Sequence, residues 1–212
     1  IRCYRLKIWS NDVGKNLLVV GCGGHAKFVC DVAEAAGVSV DGFIDPEVRI
    51  APPEVVMGKP VIGGSSALED LADHNSTTFV VGIGSNQRRA EIFEFVKSKG
   101  CSLVNLIHPT AVVASTATLG KGVVIGPRAI VGADVKIGDN VILNTACVVE
   151  HESEIGSHSH VAVASAVCGK VNVGPYCFLG AGSVCIDNIK IGANTTLGAN
   201  ATLISDHWGG EV

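Results

Sequence analysis

"IGPRAIVGADVKIGDNVILNTACVVEHESEIGSHSH" (125–160) decides the fold. Its large aliphatics, Ile125, Val131, Ile137, Leu143, Val149 and Ile155, return every six residues. The register runs from Ile107 to Leu203, seventeen positions that are all Leu, Ile or Val except Cys185. Four residues after each stands something small or β-branched, such as Ala129, Val135, Cys147 or Ser153. A period of six fits neither an amphipathic helix nor an alternating strand. It fits a short strand and a tight turn repeated, the hexapeptide pattern of a parallel β-helix. The aliphatics should fill the interior of a prism. The glycines that often follow them ("IGPRAI", "VGADVK") should supply unusual backbone angles at its corners.

Residues 17–106 follow a different grammar. "NLLVVGCGG" (16–24) reads as a buried strand ending in glycines, and "HAKFVCDVAEAAG" (25–37) as a helix closed by Gly37. A second strand is expected at 40–46, a Ser-capped helix at 65–74 and a third strand at 77–84. A third helix follows at 86–100 and a last strand at 101–108. Strands alternating with helices imply a small, Rossmann-like parallel sheet of about four strands. The expected division is an extension at 1–16, an α/β domain at 17–106, a β-helix at 107–206 and a tail at 207–212. His207 falls where a small inward residue belongs, so the repeat should stop there.

Composition narrows the function. The formal charge is −4 and the basic residues are scattered, which argues against nucleic acid as a partner. No stretch approaches the roughly 18 apolar residues of a membrane span. The eight cysteines form no C-x-x-C pair and no secretory signal precedes them, so reduced thiols and the cytoplasm are expected. The first sixteen residues lack an initiating Met and read as partly vector-derived.

Two groups of residues carry chemistry. Gly21-Cys22-Gly23-Gly24-His25-Ala26 places a glycine loop between strand and helix, where free amides face a phosphate, and Asp45 ends the second strand where an acid would meet a ribose hydroxyl. About ninety residues make one mononucleotide-binding half, so a nucleoside diphosphate such as UDP fits better than NAD. A second loop, "GIGSN" (82–86), sits at the same sheet edge, where Gly84, Asn86 and Arg89 could close over the ligand, although Arg89 reads equally well as a solvated helix residue.

The second group is the histidine-rich run. His151, His158 and His160 are spaced 7 and 2 apart, unlike the pairs five apart of hexapeptide zinc enzymes, so no metal is expected. His151 falls at a corner on the prism rim and reads as a general base beside Glu150 or Glu152. His158 also falls at a corner, where it reads as well as polar decoration of a solvated corner as a functional group, and His160 falls on the outward face of a strand. Cys147 as an acyl-carrying nucleophile is the rival mechanism, but its hexad position points it inward, where packing is its job.

The run "NT…EHE…SH" within 141–183, with "VVGCGGHAK" upstream, resembles bacterial nucleotide-sugar acyltransferases of the hexapeptide superfamily. The nearest in kind are UDP-4-amino-sugar N-acetyltransferases of bacillosamine-type pathways, with sialic acid O-acetyltransferase-like cousins. The resemblance implies a left-handed β-helix, a homotrimer with sites between prisms, and acetyl-CoA used without metal or acyl-enzyme. It implies His151 as general base, Glu152 as the carboxylate that assists it, and Asn144 beside the reacting groups. His160, Gly169, Ala181 and Ala199 would meet acetyl-CoA, and Gly23, Gly24, His25, Asp45 and Gly84 the UDP-sugar. Transfer to a hydroxyl, or a non-catalytic nucleotide-sugar-binding trimer, are the alternatives.

Overall fold

The structure, a computed structural model, describes residues 16–47, 54–71 and 77–211. The extension up to residue 15 and the end of the expected second helix, residues 72–74, lie outside the described residues.

The α/β domain runs β1 (Asn16–Val20), α1 (Gly24–Ala35), β2 (Val40–Ile44), β3 (Val55–Val56), β4 (Lys59–Gly63), α2 (Ser65–Leu71), β5 (Thr77–Val81), α3 (Asn86–Ser98) and β6 (Ser102–Leu103). Its sheet has the order β3-β4-β2-β1-β5-β6. The expected parallel strands are present. The hairpin β3–β4 was not anticipated, and its antiparallel pairing makes the sheet mixed. Met57 and Gly58, both with positive φ, form the tight turn that joins the two strands. β1 and β5 are neighbours inside the sheet and buried along nearly their whole length on both faces, as strands covered by helices on each side must be.

The expected last strand at 101–108 is two strands. Ser102–Leu103 completes the α/β sheet, whereas β7 (Leu106–Ile107) is the first rung of the prism. Asn105 makes the break. Its side chain donates to Gly120 O and accepts from Val123 N, bonding the chain to the coil above it.

From β7 onward the chain winds as a left-handed parallel β-helix whose strands stack eighteen residues apart, Ile125 on Leu143 on Val161 on Leu179. All seventeen periodic positions lie in one interior cluster. Burying such a side chain contributes roughly 1.5–3 kcal/mol, so every rung stabilises its neighbours. The residue before each aliphatic points outward and defines three faces. The first face carries Leu106, Val124, Ile142, His160 and Phe178; the second Val112, Ile130, Val148, Ala166 and Val184; the third Thr118, Lys136, Glu154, Asn172 and Lys190.

Two expectations about the repeat need correcting. The glycine after the aliphatic does not supply the unusual backbone angle. Positive φ falls three residues after the aliphatic, at Arg128, Asp134, Asn140, Ala146, Glu152, His158 and so on to Asn200, nearly always without glycine. The glycine is there for room: a Cβ on Gly132 would lie 2.8 Å from the backbone N of His151 on the next coil. Nor does the stacking end with the repeat. The six-residue period is lost after residue 206, but His207 still bridges Ile191, and Gly210–Glu211 pairs with Thr195–Leu197, so a partial, shortened rung follows.

The α/β domain sits on the first face. Val104, Leu106 and Val124 join its core, and Phe28 of α1 would meet any side chain placed at Gly126. Among the described residues nothing covers the second face, where Val112 and Ile130 are exposed.

Candidate active site

His151 stands on the corner between the second and third faces. It is 54% exposed, and its Nδ1 lies 3.1 Å from Glu152 Oε2. A neutral imidazole in that contact donates from Nδ1, which leaves the Nε2 lone pair free to take a proton. Glu152 has positive φ at this turn, and its carboxylate also lies 3.8 Å from Lys170 Nζ on the next coil. Gly169 lies directly beneath the ring. A Cβ there would come within 2.8 Å of His151 Cε1 and Nε2. The backbone at Gly169 therefore acts as the floor on which the imidazole rests.

Asn144 stands on the other edge of the second face, at the corner with the first. Its Oδ1 accepts from Thr145 N at 2.7 Å, so the Nδ2 amine faces His160 Nε2, 3.1 Å away. That contact makes Nε2 of His160 the acceptor and leaves the ring proton on Nδ1. His160 is outward-facing, as expected, yet only 8% exposed, because Phe178 meets it edge-on and His25 lies against it with ring centres 5.9 Å apart. His160 Nδ1 and His25 Nε2 are buried and have no hydrogen-bond partner. Burial, reinforced by the nearby Arg89 cation, lowers His25 to about 4 and His160 to about 3, with His25 adding to the effect on His160. Both rings are neutral at pH 7.

The glycine loop takes the expected form. Gly23 caps α1 with no side-chain bond to the helix amides, no acid occupies the first turn, and Gly23 and Gly24 are exposed. Gly21, at φ +120, packs where a Cβ would strike Gly82 O, so the two loops touch. Asp45 is buried, and its Oδ1 accepts from Glu47 N at 3.3 Å, fixing the turn after β2.

Arg89 does not close over a ligand, nor is it a solvated helix residue. It is 1% exposed and its N–H groups are spent on protein acceptors. Asn86 is similarly occupied, accepting from Arg89 and donating to Tyr176 O and Cys177 O. His158 is not a solvated corner either. It is buried, stacked on Tyr176 at 4.9 Å, edge-on to Phe93 at 5.6 Å, and bonded to Asn140. Its ring fills an aromatic slot under α3. Cys147 is fully buried inside the prism, as its hexad position predicts, and that burial pushes its thiol up to about 12, away from the thiolate form that a nucleophile needs.

Phe93, Tyr176 and Phe178 escaped the sequence reading. The signal was there in the eighteen-residue stacks Asn140–His158–Tyr176 and His160–Phe178. A cleft of about 800 Å³ opens between the start of α3 and the prism aromatics Tyr176 and Phe178, lined also by Ser85, Asn86, Glu91 and Glu94. Among the described residues, no cluster of His, Cys, Asp and Glu could hold a metal, no helix is long and apolar enough to cross a membrane, and Cys30, Cys147, Cys168, Cys177 and Cys185 are free thiols.

A Rossmann-like domain seated on a left-handed hexapeptide prism, with an exposed His–Glu pair at a prism corner, defines the class as hexapeptide acyltransferase-like. The model of the PglD N-terminal domain matches residues 16–96, and that of the GMPPB C-terminal domain residues 106–206. PerB of Caulobacter crescentus, a GDP-perosamine N-acetyltransferase solved in complex with CoA and GDP-perosamine, is 36% identical, with 92% of this chain and 91% of that one covered and a TM-score of 0.86. The acetyltransferase domain of PglB from Neisseria gonorrhoeae is 32% identical over 91% of this chain and 92% of its own, with a TM-score of 0.85. The UDP-N-acetylbacillosamine N-acetyltransferase of Bacillus subtilis (strain 168) is 31% identical over 121 residues, 52% of this chain; the chain spans about half the length of that curated relative, 51%. The chain belongs to the nucleotide-sugar N-acetyltransferases of the hexapeptide-repeat type.

Proposed function

We propose that the protein transfers the acetyl group of acetyl-CoA to the amino group of a UDP-linked 4-amino-sugar, in one direct step, with His151 as general base. The observation that carries the reading is the His151–Glu152 contact, which turns Nε2 outward with a free lone pair. Only a neutral amine attacks a thioester, and a base that takes its proton during attack contributes roughly 10²–10⁴-fold. The buried Nδ1–H of His160 is a donor without an acceptor, suited to a polar oxygen of the acyl donor. The bare N-terminus of α1, with Gly23, Gly24 and His25, suits the diphosphate. Gly84 and Asp45 border the same sheet edge.

One chain alone separates these parts. His151 and Gly169 lie on one edge of the second face, whereas Asn144, Ala181 and Ala199 lie on the other. Three copies packed through the apolar second faces would set one edge beside the other edge of the next copy, so that each site draws on two chains. The proposed acetyl-CoA groove is that seam. Acetyl-CoA chemistry, nucleotide sugars and reduced cysteines are consistent with the cytoplasm.

UDP is supported by the Bacillus relative, whereas PerB was solved with a GDP-sugar. The test is thiol release from acetyl-CoA against UDP- and GDP-linked 4-amino-sugars and sialic acid. Release with a UDP-amino-sugar is expected. Release with sialic acid alone would make the enzyme an O-acetyltransferase, and no release with any acceptor would leave a nucleotide-sugar-binding trimer.

A further inference from the structure

Arg89 is the largest fully buried side chain among the described residues. Its Nε donates to Asn140 O at 3.1 Å. One terminal nitrogen donates to Ile83 O and Gly84 O at 3.3 and 3.1 Å, and the other to His158 O, Asn86 Oδ1 and Ser159 O at 2.7, 2.8 and 3.3 Å. None of the six acceptors is a carboxylate. A cation buried without a counter-ion costs far more than a well-packed apolar side chain of similar size, so packing alone does not explain its presence.

The acceptors belong to two groups. Ile83, Gly84 and Asn86 form the second loop at the nucleotide edge, where a Cβ on Gly84 would lie 3.9 Å from His25 Cβ. Asn140, His158 and Ser159 lie on successive coils of the prism, and Ser159 directly precedes His160. Asn86 extends the same link to a third coil through Tyr176 O and Cys177 O. The guanidinium thus fixes where the loop lies relative to the strand bearing His160.

We propose that Arg89 is a positioning residue for the transfer reaction: it sets the geometry between the loop that receives the sugar nucleotide and the strand that carries His160, and touches neither substrate. The choice of substrates rests on the function proposed above. The same cation acts on both neighbouring imidazoles, whose low proton affinity it reinforces after burial, and this keeps each ring in one neutral form. The charged or titratable groups that act on His160 are Arg89 and His25; on His25, Arg89.

The experiment compares Arg89→Met, Arg89→Lys and Phe93→Leu. The last alters the same interface against His158 and removes no hydrogen bond to the loop. Thermal unfolding, KM for both substrates, kcat, binding of UDP and GDP by calorimetry, and NMR titration of the His25 and His160 rings are measured. Arg89→Met is expected to raise the sugar-nucleotide KM about tenfold or more while the acetyl-CoA KM moves little, since small misplacements at a site are costly. Nucleotide affinity should weaken in step, and both rings should titrate at higher pH. Arg89→Lys should recover part of the binding loss and most of the ring behaviour. Phe93→Leu should lower the unfolding temperature only. If Arg89→Met merely lowers that temperature, with ring titrations and nucleotide affinity as in Phe93→Leu, Arg89 is a strut and the proposal fails; if Arg89→Met does not fold, Arg89→Lys against Phe93→Leu decides by the same readouts. The ring titration needs no substrate. Absence of thiol release by the unaltered protein would therefore sink the functional reading and leave this one to be judged separately.

Discussion

His151 and His160 are nine residues apart in sequence and live in opposite surroundings. His151 stands on an open corner with a carboxylate beside it and a glycine floor beneath. His160 lies on the first face under the α/β domain, with a second imidazole, an asparagine and a phenylalanine around it. The repeat alone gives both positions the same short strand-and-turn scaffold. The difference comes from what the prism touches: the second domain covers one face and leaves the opposite corner bare. One imidazole is left exposed beside its carboxylate, and the other is fixed as a neutral donor.

Disabling the exposed member should have the largest effect. His151→Gln is expected to lower kcat by about 10²–10⁴ with unfolding temperature and nucleotide-sugar binding unchanged, as steady-state kinetics and calorimetry would show. Next comes the floor. Gly169→Ala leaves a permitted backbone but pushes the ring aside, so activity should fall on the order of 10²-fold while thermal stability holds. Loss of stability with activity intact would mean that the ring does not need its seat.

The buried pair should reveal itself through acid. A histidine whose folded pKa lies below its unfolded value of 6.5 gives stability that is full above pH 6.5. That stability is lost as pH falls toward the folded values of about 4 for His25 and about 3 for His160. The unfolding temperature should therefore drop by on the order of 5 °C between pH 7 and 5, and His160→Gln should flatten that slope. The smallest effect belongs to Cys147. Cys147→Ala should cost about 1 kcal/mol of stability and leave turnover within about twofold, and mass spectrometry should find no acetylated enzyme after mixing with acetyl-CoA.

The prism was legible because its signal repeats. Sixteen aliphatics and one cysteine in register specify the coil, and a residue's hexad position tells whether it faces in, out or a corner. That reasoning placed His151 and Cys147. It failed where non-repeating contacts override the period. His158 occupies a corner and should have been wet, yet Phe93 and Arg89 from α3 bury it, and nothing local in "IGSHSH" announces a helix seated above. Arg89 itself reads as a surface residue in "NQRRAEIF", because three of its six acceptors are main-chain carbonyls 51 to 70 residues away. The glycines misled for a related reason. Their period is visible, but whether a glycine relieves a backbone angle or a close approach depends on the neighbouring coil.

The central claim is that each site takes its base from one chain and its Asn144–His160 pair from the next. Mixing separately inactive His151→Ala and Asn144→Ala chains, unfolding them together and refolding them tests this directly. Random trimers should recover about one quarter of the unaltered activity, since a site needs an intact His151 from one neighbour and an intact Asn144 from the other. Activity no higher than that of either variant alone would place the whole site within a single chain and contradict the account.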